Sequence, residues 1–127
     1  KLQVHICKES AQVGQALNYD IESVGGIKAD VWANADQGDV YEELEARFMP
    51  SPGAPDWKSS MAQDVTKGRL TEIEYMNGYI VDRGLELGIP TPVNTAIVEV
   101  LRDIDAGRIQ PDPSNVERTL AMADLKA

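Results

Sequence analysis

Apolar residues recur at helical spacing along most of the chain, and almost nowhere do they alternate as a strand would require. Residues 2–17 carry Leu2, Ile6, Val13 and Leu17 with alanines at 11 and 16, which predicts an amphipathic helix ending near Asn18. From Asp30 to Phe48 the pattern returns through Val31, Ala35, Val40, Leu44 and Phe48, broken at Gly38-Asp39, so two short helices or one kinked helix are expected. A further helix is expected to open at Trp57 with Asp56 as N-cap. It places Ser60 and Asp64 on one face and Met61 and Val65 on the next, and stops at Gly68 with Lys67 in its last turn.

The helix after that corner begins at Thr71-Glu72-Ile73-Glu74, a capping-box pattern in which Thr71 caps and Glu74 reaches back to the Thr71 backbone N–H. Ile73, Met76, Ile80 and Leu87 form its apolar stripe, and Gly88 ends it. Asn77-Gly78 falls inside it, where glycine costs about 1 kcal/mol against alanine, so a neighbouring helix or a ligand should approach closely there. Thr91 then caps, and Pro92 opens a helix to about Ala106 whose apolar face is Val93, Ile97, Val100, Leu101 and Ile104. After Gly107 and the Pro111-Asp112-Pro113 stretch, a last short helix spans about Ser114 to Asp124. The Ile21–Ile27 segment, with Gly25-Gly26, reads as a flexible turn and matches neither the dinucleotide fingerprint nor the P-loop. Met49–Pro55 reads as a connector, and Gly14 as a close helix crossing. The pattern predicts an all-α fold and one helical domain over residues 1–127.

Composition narrows the partners. The chain has 127 residues and 43% hydrophobic content, enough for one domain that buries roughly two-thirds of its unfolded surface. Its net charge is −9 with no run of basic residues, which argues against nucleic acid or an anionic membrane as partner. No apolar run approaches a membrane span. The single cysteine, Cys7, excludes an internal disulfide and fits a reducing, cytoplasmic compartment. The chain opens on Lys1 instead of methionine, which points to part of something longer. His5 and Cys7 lie two apart and belong to no metal-ligand set, and Asp39, Glu42, Glu43 and Glu45 read as a solvated helix face.

Once Glu74 is assigned to the capping box, Ser60 and Glu72 remain without a structural task. Spacing alone reads them as a helix-surface serine and a first-turn acid suited to the helix dipole. The surrounding motif suggests more. Ser59-Ser60-Met61-x-x-Asp64, Gly68-Arg69-x-Thr71-Glu72-Ile73-x-Tyr75-x-Asn77-Gly78 and Gly88-Ile89-Pro90-Thr91-Pro92-x-Asn94 together resemble the C-terminal domain of ketopantoate reductases (2-dehydropantoate 2-reductases). The likeness is dense from about Ser59 to Asn94 and diffuse elsewhere.

The resemblance implies a multi-helix bundle like the C-terminal domain of 6-phosphogluconate dehydrogenase-like reductases. In that family an N-terminal Rossmann domain holds NADPH, the helical domain closes over the small 2-ketoacid substrate, and a lysine gives the proton. By the motif, Ser60 corresponds to a serine that hydrogen-bonds substrate, and Glu72 to the glutamate that binds and orients it. Asp64 and Asn77 match motif positions too, and are together assigned to helix packing and corner hydrogen bonds. No lysine here has the family's context, in which asparagines follow at successive turns. Lys8 comes nearest, but Gln12 stands one turn on. The chain alone is therefore expected to be inactive. Two alternatives stay open: a reductase of this family for another 2-ketoacid, and a stand-alone helical interaction module. A homodimer also stays open.

Overall fold

A computed structural model describes residues 1–55 and 59–125. It contains seven helices among those residues: α1 (Leu2–Ala16), α2 (Ala29–Ala33), α3 (Val40–Ala46), α4 (Ser60–Thr66), α5 (Asn77–Leu87), α6 (Pro92–Asp105) and α7 (Asn115–Met122). No strand is present among the described residues, only an isolated bridge between Val24 and Ile27 that closes the Gly25-Gly26 turn. The all-α expectation holds.

The two longest helices, α1 and α6, organise the rest. α1 packs against α2, α3, α5 and α6, while α6 packs against α5 and α7 as well. One core forms where Val4 and Ala11 of α1 meet Trp32, Ala33 and Leu44. Trp32 closes it with an indole N–H donated to the Val24 carbonyl at 3.3 Å. A second core joins Val93 and Ala96 of α6 to Ala123, with Leu2 and Ile6 alongside. Burial of these side chains supplies the drive to associate.

Glycines set two of the approaches. A Cβ on Gly14 would lie 2.7 Å from Ile21 Cδ1, so this glycine admits the loop after α1 and not a crossing helix. On Gly84 a Cβ would meet Thr91 Cγ2 at 2.8 Å and the Ile89 carbonyl at 2.9 Å, which ties α5 to the chain entering α6.

The segment between α4 and α5 departs from the sequence expectation. α5 starts at Asn77, six residues after Thr71, and no side chain caps it. Residues 71–76 are a turn, because Thr71 and Glu74 are both engaged by α6 and not by each other. The stripe assigned to this helix is correspondingly split: Ile73 is buried in the turn, Ile80 is half-buried, and Met76 and Leu87 are exposed. Gly78 is approached by its own turn, since a Cβ there would lie 3.2 Å from Glu74 Oε2 and 3.3 Å from the Ile73 carbonyl. α4 also begins later than expected. Its N-cap is Ser59, whose Oγ accepts from the Ala62 N–H at 3.2 Å, and the Asp56 and Trp57 assigned to its start lie outside the described residues.

Candidate functional site

The corner joining α4 to α5 is fixed by local chemistry first. Ser59 is consumed as the α4 cap, which leaves Ser60 at the first helical position with its side chain exposed. Gly68 takes φ +68° and turns the chain out of the helix. Asp64 then holds the corner, its Oδ1 accepting from Arg69 Nε at 3.1 Å. This bears out the reading of Asp64 as a corner residue.

Beyond the corner, α6 takes over. The Asp105 carboxylate accepts the Thr71 backbone N–H at 3.3 Å and the Thr71 hydroxyl at 2.9 Å. Ile73 is 1% exposed, plugged beneath the turn. Arg102 meets Glu74 through two parallel N–H donors, Nη2 to Oε2 at 2.7 Å and Nε to Oε1. The guanidinium holds the Glu74 carboxyl below the ordinary carboxylate range. The intervening residue, Glu72, is exposed, and among the described residues its carboxylate has no hydrogen-bond or ion-pair partner. The same is true of the Ser60 hydroxyl.

Ser60 and Glu72 therefore sit on different elements and do not bond each other, but their neighbours meet. Met61 and Val65 of α4 and Ile73 of the turn line one apolar groove with Ile97, Leu101 and Ile104 of α6. Around Glu72 the surface is apolar and open: Tyr75 is 88% exposed and Leu70 74%. An ionised acid beside such surface can accept a ligand hydroxyl, and the serine can donate to a ligand carboxylate.

The third layer of this region was not legible in the motif. Glu9 of α1, only 4% exposed, accepts the Val93 and Asn94 backbone N–H groups at 2.8 Å each and the Asn94 side-chain amide at 2.6 Å. It thus caps α6 from another helix, where Thr91 makes no side-chain cap bond. Its anionic charge also suits the positive end of that helix. Asn94 Oδ1 in turn accepts from Asn77 Nδ2 at 2.8 Å, which ties the start of α5 to α6. A signal existed: Leu2, Ile6 and Val13 leave Glu9 on the buried stripe, an improbable place for an unpaired acid.

The remaining candidates carry no chemistry. Lys8 is taken by Asp36, whose carboxyl that pairing lowers. His5 lies 5.9 Å from the Tyr41 ring, and burial lowers its pKa. Burial pushes the Cys7 thiol up, away from reactivity. No group of metal-ligating side chains occurs among the described residues. No helix there is long and apolar enough to cross a membrane.

Comparison with known proteins agrees with the motif. Residues 1–105 match the family model described as "Ketopantoate reductase PanE/ApbA C terminal". A 2-dehydropantoate 2-reductase of Vibrio cholerae is 29% identical over 103 residues, covering 80% of this chain and 35% of that protein. Those of Archaeoglobus fulgidus and Aquifex aeolicus are 42% identical over 50 residues (39% of this chain, 17% of that protein) and 37% identical over 71 (56% and 21%). No solved structure gives a significant match. The chain thus spans between 17% and 35% of the length of these relatives. With the family model covering residues 1–105 and the helical architecture in accord, the chain belongs to the ketopantoate reductase family and corresponds to its C-terminal domain.

Proposed function

We propose that this chain, as one helical domain over residues 1–127, is the substrate-binding half of an NADPH-dependent 2-dehydropantoate 2-reductase, which reduces ketopantoate to pantoate for pantothenate and coenzyme A synthesis. The observation that carries this reading is the Glu72 carboxylate, exposed and without a partner among the described residues, on a turn held on both sides through Thr71, Ile73 and Glu74. Glu72 accepts a hydrogen bond from a substrate hydroxyl and so orients the ketoacid. The Ser60 hydroxyl donates to the substrate carboxylate.

The cofactor belongs elsewhere in the full-length protein. Among the described residues there is no strand leading through a glycine-rich turn into a helix, so these residues do not fit the pyrophosphate of a dinucleotide. NADPH, which supplies the hydride, is assigned to an N-terminal Rossmann domain. The net charge of −9 supports that division, because an anionic cofactor and an anionic substrate are repelled on balance by a surface on which acids outnumber bases. The reducing cytoplasm suits the lone, half-buried Cys7 thiol.

A kinetic panel of small 2-ketoacids with NADPH and NADH, run on the full-length protein, tests the assignment. The highest kcat/KM is expected for 2-dehydropantoate with NADPH. A strong preference for a different ketoacid would overturn the substrate and leave the reductase chemistry standing.

A further inference from the structure

We infer that Asp105 and Arg102, at the C-terminal turn of α6, are positioning residues that aim the Glu72 carboxylate at the substrate. This inference rests on the proposed role of Glu72. Its observations are independent of the sequence motif, because both residues lie outside the stretch that carries the family pattern.

The geometry is a two-point clamp. On one side of Glu72, Asp105 takes both the backbone N–H and the hydroxyl of Thr71, at 3.3 and 2.9 Å. On the other, Arg102 grips Glu74 with a bidentate pair. Ile73, nearly inaccessible, pins the turn from below. Three internal bonds complete it: the Tyr75 N–H donates to the Glu72 carbonyl at 3.0 Å, and the Met76 and Gly78 N–H groups to the Ile73 carbonyl at 3.3 and 2.9 Å. Residues 71–76 form no helix, so the regular ladder that would otherwise hold Glu72 in place is absent. Loss of either clamp point frees the backbone that carries the carboxylate. Misplacing such a group by about 1 Å costs roughly a hundredfold in rate in well-organised sites.

The clamp is also stiff where it needs to be. Arg102 and Asp105 stand three apart on one helix, which puts them on adjacent positions of one face. The far end of that helix is tied into the core through Glu9. The turn that presents Glu72 is therefore referenced to α1 and not only to its own loop.

The test is a double-mutant cycle on kcat/KM in the full-length protein, with melting temperatures recorded in parallel. Asp105→Ala alone should lower kcat/KM about tenfold, mainly through kcat, and Arg102→Met should do so to a lesser degree. In a Glu72→Ala background both substitutions should change kcat/KM by less than about twofold, while their effects on melting temperature persist. Asp105→Asn, which keeps an oxygen acceptor for the Thr71 N–H, should recover most of the Asp105→Ala loss. Because the Arg102 and Glu74 side chains are about half exposed, Arg102→Met keeps the test decisive even if Asp105→Ala fails to fold. Additive losses in the Glu72→Ala background would overturn the clamp and leave the role of Glu72 intact. An unchanged kcat/KM for Glu72→Ala alone would overturn both.

Discussion

A buried glutamate at position 9 would be a liability if its carboxylate were not filled. Three donors converge on it, two from the first turn of α6 and one from Asn94, itself fully buried. Removing the carboxylate leaves those buried donors without their acceptor, and each buried orphan costs about 1–3 kcal/mol. Glu9→Ala is therefore expected to destabilise the fold by about 3 kcal/mol or more in urea melts. Glu9→Gln should cost less, although its amide N–H groups must face another donor. Thr71 and Glu74 show why this layer of the site was hidden from the sequence. Their spacing satisfies a local capping rule, yet each finds a better partner in α6, 34 residues away for Thr71 and 28 for Glu74. Local pattern rules rank only local partners. Ser60 and Glu72 stand out through the motif and not through the periodicity, and their part in substrate binding is what we propose.

At the level of elements, the ends of the two longest helices were legible to within two residues. α1 ends at Ala16 against an expectation near Asn18, and α6 ends at Asp105 against one near Ala106. α5 was placed five residues too early, because Ile73 continues the apolar spacing although it belongs to a turn. Gly84 probes how that helix is seated. Alanine there would gain about 1 kcal/mol in helix propensity. Its Cβ would nevertheless lie 2.9 Å from the Ile89 carbonyl, a backbone atom that cannot swing aside. Overpacking of this kind costs about 1–3 kcal/mol, so Gly84→Ala should lower the melting temperature in spite of the better propensity. A rise in melting temperature would show that the entry to α6 yields more readily than its packing implies.

On the scale of the whole molecule, α6 joins stability to the site. One end is capped by Glu9 from α1, the middle packs against α5 and α7, and the other end holds the turn bearing Glu72. In the function we propose, the helical domain holds the ketoacid and another domain holds NADPH, a division that the net negative charge and the absence of a dinucleotide turn among the described residues support. The measurement that bears most directly on this account is kcat/KM for 2-dehydropantoate reduction by full-length Glu72→Ala. Loss of a charged hydrogen bond to the reacting substrate, about 3 kcal/mol, predicts a fall of about a hundredfold or more with the melting temperature little changed. Normal turnover accompanied by a lowered melting temperature would contradict it, and would make Glu72 an acid that serves the fold alone.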